Sequence, residues 1–144
     1  MENQPILIEA TYLAPIDKVW AALTENEQLQ KWFFRLEEFK PEIGFSFGFS
    51  GGPDDGPQYV HQCEIIELVQ GRKIAYTWRY KGYAGNSVVT WALSEDGEYT
   101  NLILSHSGTE SFASGGANFT RESFTGGWNY FANDALKKYL EQFT

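Results

Sequence analysis

Gly48-Phe49-Ser50-Gly51-Gly52 is a literal G-x-S-x-G, the pattern in which a hydrolase holds its serine on a strained strand-to-helix turn beside an oxyanion hole. Here the chain runs on into Pro53-Asp54-Asp55-Gly56-Pro57, which forms turns rather than starting a helix. The segment therefore reads as a hairpin loop bordering a cavity mouth, without a nucleophile. His61 and Cys63 alternate along one predicted strand and point to the same side, and His106 ends another strand. Together they could offer three ligands to an open, catalytic-type zinc. They are, however, the only two histidines and the only cysteine of the chain, and no spacing signature links them. The expectation is a buried thiol and two hydrogen-bonded histidines, with neither metal nor cofactor.

The remaining chemistry lies in aromatic surface. The chain carries 11 Phe, 8 Tyr and 5 Trp, or 17% aromatic residues, and many of them fall at alternating positions. Phe45, Phe47 and Phe49 share one strand face, as do Tyr76, Trp78 and Tyr80. With Tyr59 and Phe112 beside them, these residues read as core and as cavity lining at once. The candidate ligand-binding set is Trp32, Phe45, Phe47, His61, Tyr76, Trp78, Trp91, His106, Phe124, Trp128 and Phe131. Polar groups able to orient a ligand among them are His61, His106, Ser105, Thr90, Asn129 and Arg79, the last able to pair with a carboxylate or phenolate. Glu37 with Glu38, Asp54 with Asp55, and Glu95 with Asp96 are neighbours in sequence. On a strand such neighbours point to opposite faces, so they make poor acid/base pairs and read as solvated surface.

These residues must be positioned by strands and helices that the hydropathy pattern marks out. Ile6 to Leu13 alternates as a strand. Pro15 suits a first helical turn, and Ile16, Val19, Trp20 and Leu23 make one apolar helical stripe. Thr24-Glu25-Asn26-Glu27 has the form of a capping box before a second short helix carrying Leu29, Trp32 and Phe33. Strands are then predicted at 36–39, 45–49, 59–69, 73–80, 87–94 and 100–106, with turns at Gln70-Gly71, Gly82 to Asn86 and Glu95-Asp96-Gly97. After the Ser/Gly-rich stretch from Ser111 to Ala117, the stripe Trp128, Phe131, Ala132, Ala135, Leu136, Tyr139, Leu140 and Phe143 predicts a long C-terminal helix, starting several residues before Trp128. The order predicts an α+β fold, with a curved antiparallel sheet of about seven strands wrapped around the last helix.

The 144 residues suit one domain, 1–144. A net charge of −8 argues against a phosphate-backbone partner, so no nucleic acid is expected. No apolar run approaches the ~20 residues that span a bilayer, and the N-terminus lacks a basic segment followed by an apolar one. The expectation is a cytoplasmic protein without membrane insertion. Asn118-Phe119-Thr120 matches a glycosylation acceptor, which reads as chance without a secretory signal.

The segments Ala14-Pro15-Ile16-Asp17-Lys18-Val19-Trp20-Ala21-Ala22-Leu23, Trp32-Phe33, Ala75-Tyr76-Thr77-Trp78, Val89-Thr90-Trp91-Ala92-Leu93, Thr100 to Gly108 and Gly127-Trp128 resemble, as an ordered set over nearly the whole chain, the START-like helix-grip superfamily. More narrowly, they resemble homologues of the activator of heat-shock protein 90 ATPase. The resemblance implies a seven-stranded antiparallel sheet gripping a C-terminal helix, with two small helices between the first two strands and often a hydrophobic cavity inside. Relatives bind lipids, polyketides, plant hormones or a chaperone, and some are enzymes. Three functions follow as expectations. The first is a non-catalytic module binding a small hydrophobic or aromatic molecule, such as a lipid, polyketide or flavonoid-like compound. The second is a partner of a heat-shock 90-type chaperone that stimulates its ATPase, and the third is a polyketide cyclase-like enzyme.

Overall fold

The computed structural model describes residues 4–52, 56, 58–115 and 119–142. Most of the Pro53 to Pro57 loop, Asn118 of the acceptor match, Gly116, Ala117 and Phe143 lie outside the described residues. Strand β1 (Ile6–Tyr12) is followed by helices α1 (Ile16–Thr24) and α2 (Asn26–Trp32). Strands β2 (Ser46–Gly51), β3 (Tyr59–Val69), β4 (Lys73–Tyr80), β5 (Ser87–Asp96) and β6 (Tyr99–Ser107) come next. They form one antiparallel sheet in the order β1-β6-β5-β4-β3-β2. A 3₁₀ turn at Thr109–Gly115 leads to the C-terminal helix. That helix comprises α3 (Arg121–Tyr130), a π-helical turn (Phe131–Ala135) and α4 (Leu136–Glu141).

Among the described residues the sheet has six strands rather than about seven, because 36–39 is not a strand. Leu36 and Phe39 are both buried with exposed Glu37 and Glu38 between them, a spacing of three that no strand face can present. The segment instead hangs apolar anchors into the core as it crosses from α2 to β2. The capping box is also absent. Thr24 Oγ1 donates backward to Trp20 O at 2.8 Å, and Glu25 precedes α2 without a side-chain cap. Pro15 does start α1, its carbonyl accepting from the amides of Lys18 and Val19. Thr120 caps the last helix, its hydroxyl accepting from Ser123 N at 3.1 Å.

Alternation holds along the sheet. In β1 the side chains of Ile6, Ile8, Ala10 and Tyr12 are buried and those between them exposed. In β6, Thr100, Leu102, Leu104 and His106 face inward. The inner face packs against the C-terminal helix, whose buried residues Phe124, Trp128, Ala132, Leu136 and Leu140 recur every four. A residue every four drifts ~40° per step around a helix of 3.6 residues per turn. The wider π turn in mid-course takes up part of that drift and keeps the stripe on the sheet.

Polar bonds fix the helix to the sheet. Tyr12 Oη donates to Ala132 O at 2.6 Å, inside the π turn. Trp128 Nε1–H donates to His106 Nδ1 at 2.9 Å, so that nitrogen carries no proton and the neutral ring bears it on Nε2. His106 Nε2 lies 2.8 Å from Ser87 Oγ, and Ser87 Oγ donates to Trp78 O at 2.8 Å. Both ring nitrogens of His106 are thus taken by the fold, and burial lowers its pKa to about 3. His61 is also buried, with its pKa lowered to about 4 by desolvation against two backbone hydrogen bonds that raise it. No helix among the described residues is long and apolar enough to cross a membrane.

Both histidines titrate lower folded than unfolded, so the unfolded chain binds more protons between the two values. Their contribution is complete above the unfolded pKa of about 6.5 and is lost as pH falls toward the folded values. Urea unfolding at pH 7 and pH 5 should show a loss of on the order of 2 kcal/mol per histidine. A flat stability profile over that range would contradict the neutral pair. Tyr12→Phe should lower the urea midpoint by about 1 kcal/mol of stability without changing the slope.

Candidate functional site

Between the inner face of β3 and β4 and the first turns of α3 the packing leaves a cavity of ≈ 380 Å³. Tyr59 and His61 come to it from β3, and Trp78 and Tyr80 from β4. The helix contributes Ser123, Phe124, Gly127 and Trp128, and the π turn adds Phe131. Phe34, Phe119, Gly51 and Gly52 complete the wall. The volume lies at the lower end of the ~300–1,000 Å³ of ligand sites. No described lining residue carries a formal charge at neutral pH, since His61 is neutral.

Ring packing builds the wall. Phe49, on β2, stacks on His61 at 4.4 Å and 12° and on Phe34 at 4.4 Å and 27°. Trp78 meets Trp128 edge to face at 5.0 Å. These separations fall at or near the preferred range for aromatic pairs. Gly51 is required for Phe34 to reach this place, because a Cβ there would lie 2.6 Å from Phe34 Cε1. Indole N–H groups are satisfied within the protein: Trp78 Nε1 donates to Tyr80 Oη and Trp91 Nε1 to Tyr76 Oη, each at 2.8 Å. Trp32 Nε1 donates to Ala22 O at 2.9 Å.

His61 holds the polar point of the wall. Its Nδ1 lies 3.1 Å from Tyr59 O and 3.3 Å from Phe49 O. Two carbonyls can only accept, so Nδ1 carries the proton and Nε2 keeps a lone pair. Tyr80 Oη accepts from Trp78 and retains its own proton. Burial pushes the Tyr80 phenol up and the His61 imidazolium down, so both stay neutral.

Of the residues expected to bind a ligand, His61, Trp78, Phe124, Trp128 and Phe131 meet at this cavity. Phe47, Tyr76, Trp91 and Trp32 are buried core packed outside its lining, and Phe45 is half-buried beside Phe39. His106 lies behind Trp128, holding it rather than lining the space. Arg79 is exposed, Thr90 and Ser105 are half-buried on the outer face of the sheet, and exposed Asn129 accepts from Asn133 Nδ2. None of these four lines the cavity. Sequence reasoning missed Phe34, Phe119, Ser123 and Gly127. Only Gly127 carried a signal, as part of a Gly-Gly pair inside a helical stripe.

The other motifs resolve into structure. Ser50 is exposed on β2, paired with Val60, and Gly51 after it still belongs to the strand. Cys63 is buried and its thiol pKa is pushed up by desolvation. His61 Nδ1 and both nitrogens of His106 face protein partners. Among the described residues no group of three His, Cys, Asp or Glu side chains could hold a metal ion.

Several solved structures share this architecture. MLL2253 from Mesorhizobium loti superposes with a TM-score of 0.78 at 24% identity, over 98% of this chain and 99% of that one. CalU16 from Micromonospora echinospora gives 0.72 at 26% identity, over 96% and 78%. DynU16, a protein of the dynemicin biosynthetic locus, gives 0.76 at 22% identity, and this chain spans 97% of itself but 48% of DynU16. No curated protein matches the sequence. Residues 13–141 match the model of the activator of Hsp90 ATPase homolog 1-like proteins, and the chain belongs to that family.

Proposed function

We propose that this chain, folded as one domain, is a non-catalytic cytoplasmic module that binds a small hydrophobic or aromatic molecule between the sheet and the C-terminal helix. The observation that carries the reading is the aromatic cavity itself, ≈ 380 Å³ and without a charged side chain among its described lining residues. The residues proposed to touch the ligand are His61, Trp78, Phe124, Trp128 and Phe131, with Trp32, Phe45, Phe47, Tyr76, Trp91 and His106 behind or beside them. One structural neighbour being a protein of a biosynthetic locus agrees with a small-molecule role.

The shifts at His61 and Tyr80 favour binding over catalysis. A general base or acid works best with a pKa near the working pH. Here desolvation moves the imidazole to about 4 and the phenol upward, so each moves away from neutrality and in the direction that weakens proton transfer. What remains is a neutral acceptor and a neutral donor, suited to orienting a ligand rather than to a cyclase-like reaction. A chaperone-binding role rests on the family description alone.

Native mass spectrometry and thermal-shift screening against fatty acids, phospholipids and planar polycyclic aromatics test the reading. A co-purifying small molecule, or a dose-dependent rise in melting temperature with quenching of Trp78 and Trp128 fluorescence, is expected. A clean apo mass with no shift from any compound, together with stimulation of a heat-shock 90-type ATPase, would replace it with the chaperone role.

A further inference from the structure

Gly126 and Gly127 stand in the interior of α3, where each glycine costs roughly 1 kcal/mol relative to alanine. The usual reasons for tolerating them are missing. Neither has a positive φ, and a Cβ at either would meet nothing within 4 Å. The contrast is with Gly48 and Gly51, where a Cβ would collide with His61 O at 2.9 Å and with Phe34 at 2.6 Å. Nothing in the protein's own packing therefore calls for a bare backbone at Gly127. Yet Gly127 lies on the cavity wall, one turn from Phe124 and one turn from Phe131 on the same helix face, while Gly126 does not line it. Between Phe124 and Phe131 the glycine leaves a notch in the helix side of the wall, where a flat molecule can approach the helix backbone.

The second observation is the unspent lone pair of His61 Nε2. No protein donor meets it among the described residues. Nor is it sealed in: the one buried side-chain N or O atom there without a partner is Asn26 Oδ1. His61 Nε2 is therefore not a sealed atom, and His61 is one of the residues that line the cavity. An acceptor left unmatched when a ligand displaces water costs ~1–3 kcal/mol, so the occupant must bring a donor. An unpaired ionic group would lose its hydration with no counter-charge on the described wall.

We propose that the cavity receives an uncharged, planar, polycyclic aromatic molecule bearing a hydroxyl group, its ring face laid on the bare helix backbone at Gly127 and its hydroxyl donating to His61 Nε2. The proposal rests on the binding reading above and names its ligand class.

Fluorescence titration of the full chain with 1-hydroxypyrene, 1-methoxypyrene and pyrene-1-carboxylate tests it, with thermal unfolding of each variant recorded in parallel. Wild type should bind the hydroxyl compound about tenfold or more tighter than the methyl ether, a margin of about 1.4 kcal/mol, and the carboxylate most weakly. His61→Phe should remove the preference and keep methoxypyrene binding. Gly127→Leu and Gly126→Leu should both melt above wild type, through helix propensity. Only Gly127→Leu should lose pyrene binding, by about tenfold or more. Equal affinity of wild type for hydroxypyrene and methoxypyrene would overturn the role of His61, and this comparison needs no variant. Undiminished binding by Gly127→Leu would overturn the ring placement, and tightest binding of the carboxylate would overturn the uncharged class. Failure of all three pyrenes to bind wild type would bring down the binding reading itself.

Discussion

The hydrogen-bonded chain from Trp128 through His106 and Ser87 to the Trp78 carbonyl is the interaction on which the rest of the site depends. It runs from the C-terminal helix through β6 and β5 to β4, and each step has one possible direction of donation. The indole can only donate, so His106 Nδ1 must accept; the ring must then donate from Nε2, and the serine must pass its proton to the carbonyl. Adding a proton to His106 would set N–H against N–H at Trp128 Nε1. The neutral state is therefore a consequence of connectivity as well as of burial. Trp78 and Trp128, the two indoles on the cavity wall, are anchored by the two ends of this chain.

The same economy governs the indole N–H groups of Trp78, Trp91 and Trp32. A buried indole N–H without an acceptor is costly, and an aromatic-rich core must find acceptors without admitting charge. Tyrosine hydroxyls from neighbouring strand positions serve Trp78 and Trp91, and a helix carbonyl serves Trp32. Each solution fixes a ring plane as well as satisfying a proton. Rigid rings held at set angles do not collapse into the space beside them as leucine or methionine would. The cavity therefore persists between well-packed walls, and that persistence suits a binding site.

Much of this was legible in the sequence. Strict alternation in β1, in 59–65 and in 100–106 exposed the inner face directly, and the spacing of Trp128, Ala132 and Leu136 announced the covering helix. What failed did so where period and chemistry diverge. Leu36 and Phe39 read as strand on hydropathy, but their spacing of three and the following Pro41 suit an irregular crossing. Thr24 had the right type and position for a cap, yet its hydroxyl found the preceding turn first, an alternative that threonine always carries. For the site, alternation identified Trp78, Tyr80 and His61 as inward. It could not separate rings that line a void from rings such as Trp91 and Tyr76 that fill the core, because both face the same way. Phe34 follows Trp32 and Phe33 with no period at all, and its place on the wall comes from long-range contacts, its stacking on Phe49 and its passage across Gly51, that no local pattern shows.

The charge distribution completes the picture. The chain carries a net charge of −8, and its described ion pairs, such as Arg72 with Glu95 and Lys138 with Asp134, lie at the surface. The interior holds the two histidines in neutral form. An acidic exterior around an uncharged cavity discourages anions at the approach and any ion at the site itself, since desolvation there finds no counter-charge on the described wall. What the wall offers beyond charge is its shape, set by ring planes, and the lone pair on His61. The tautomer that exposes this lone pair is dictated by the two carbonyls facing Nδ1. The backbone pairing of β2 with β3 thereby determines which nitrogen of His61 carries the proton.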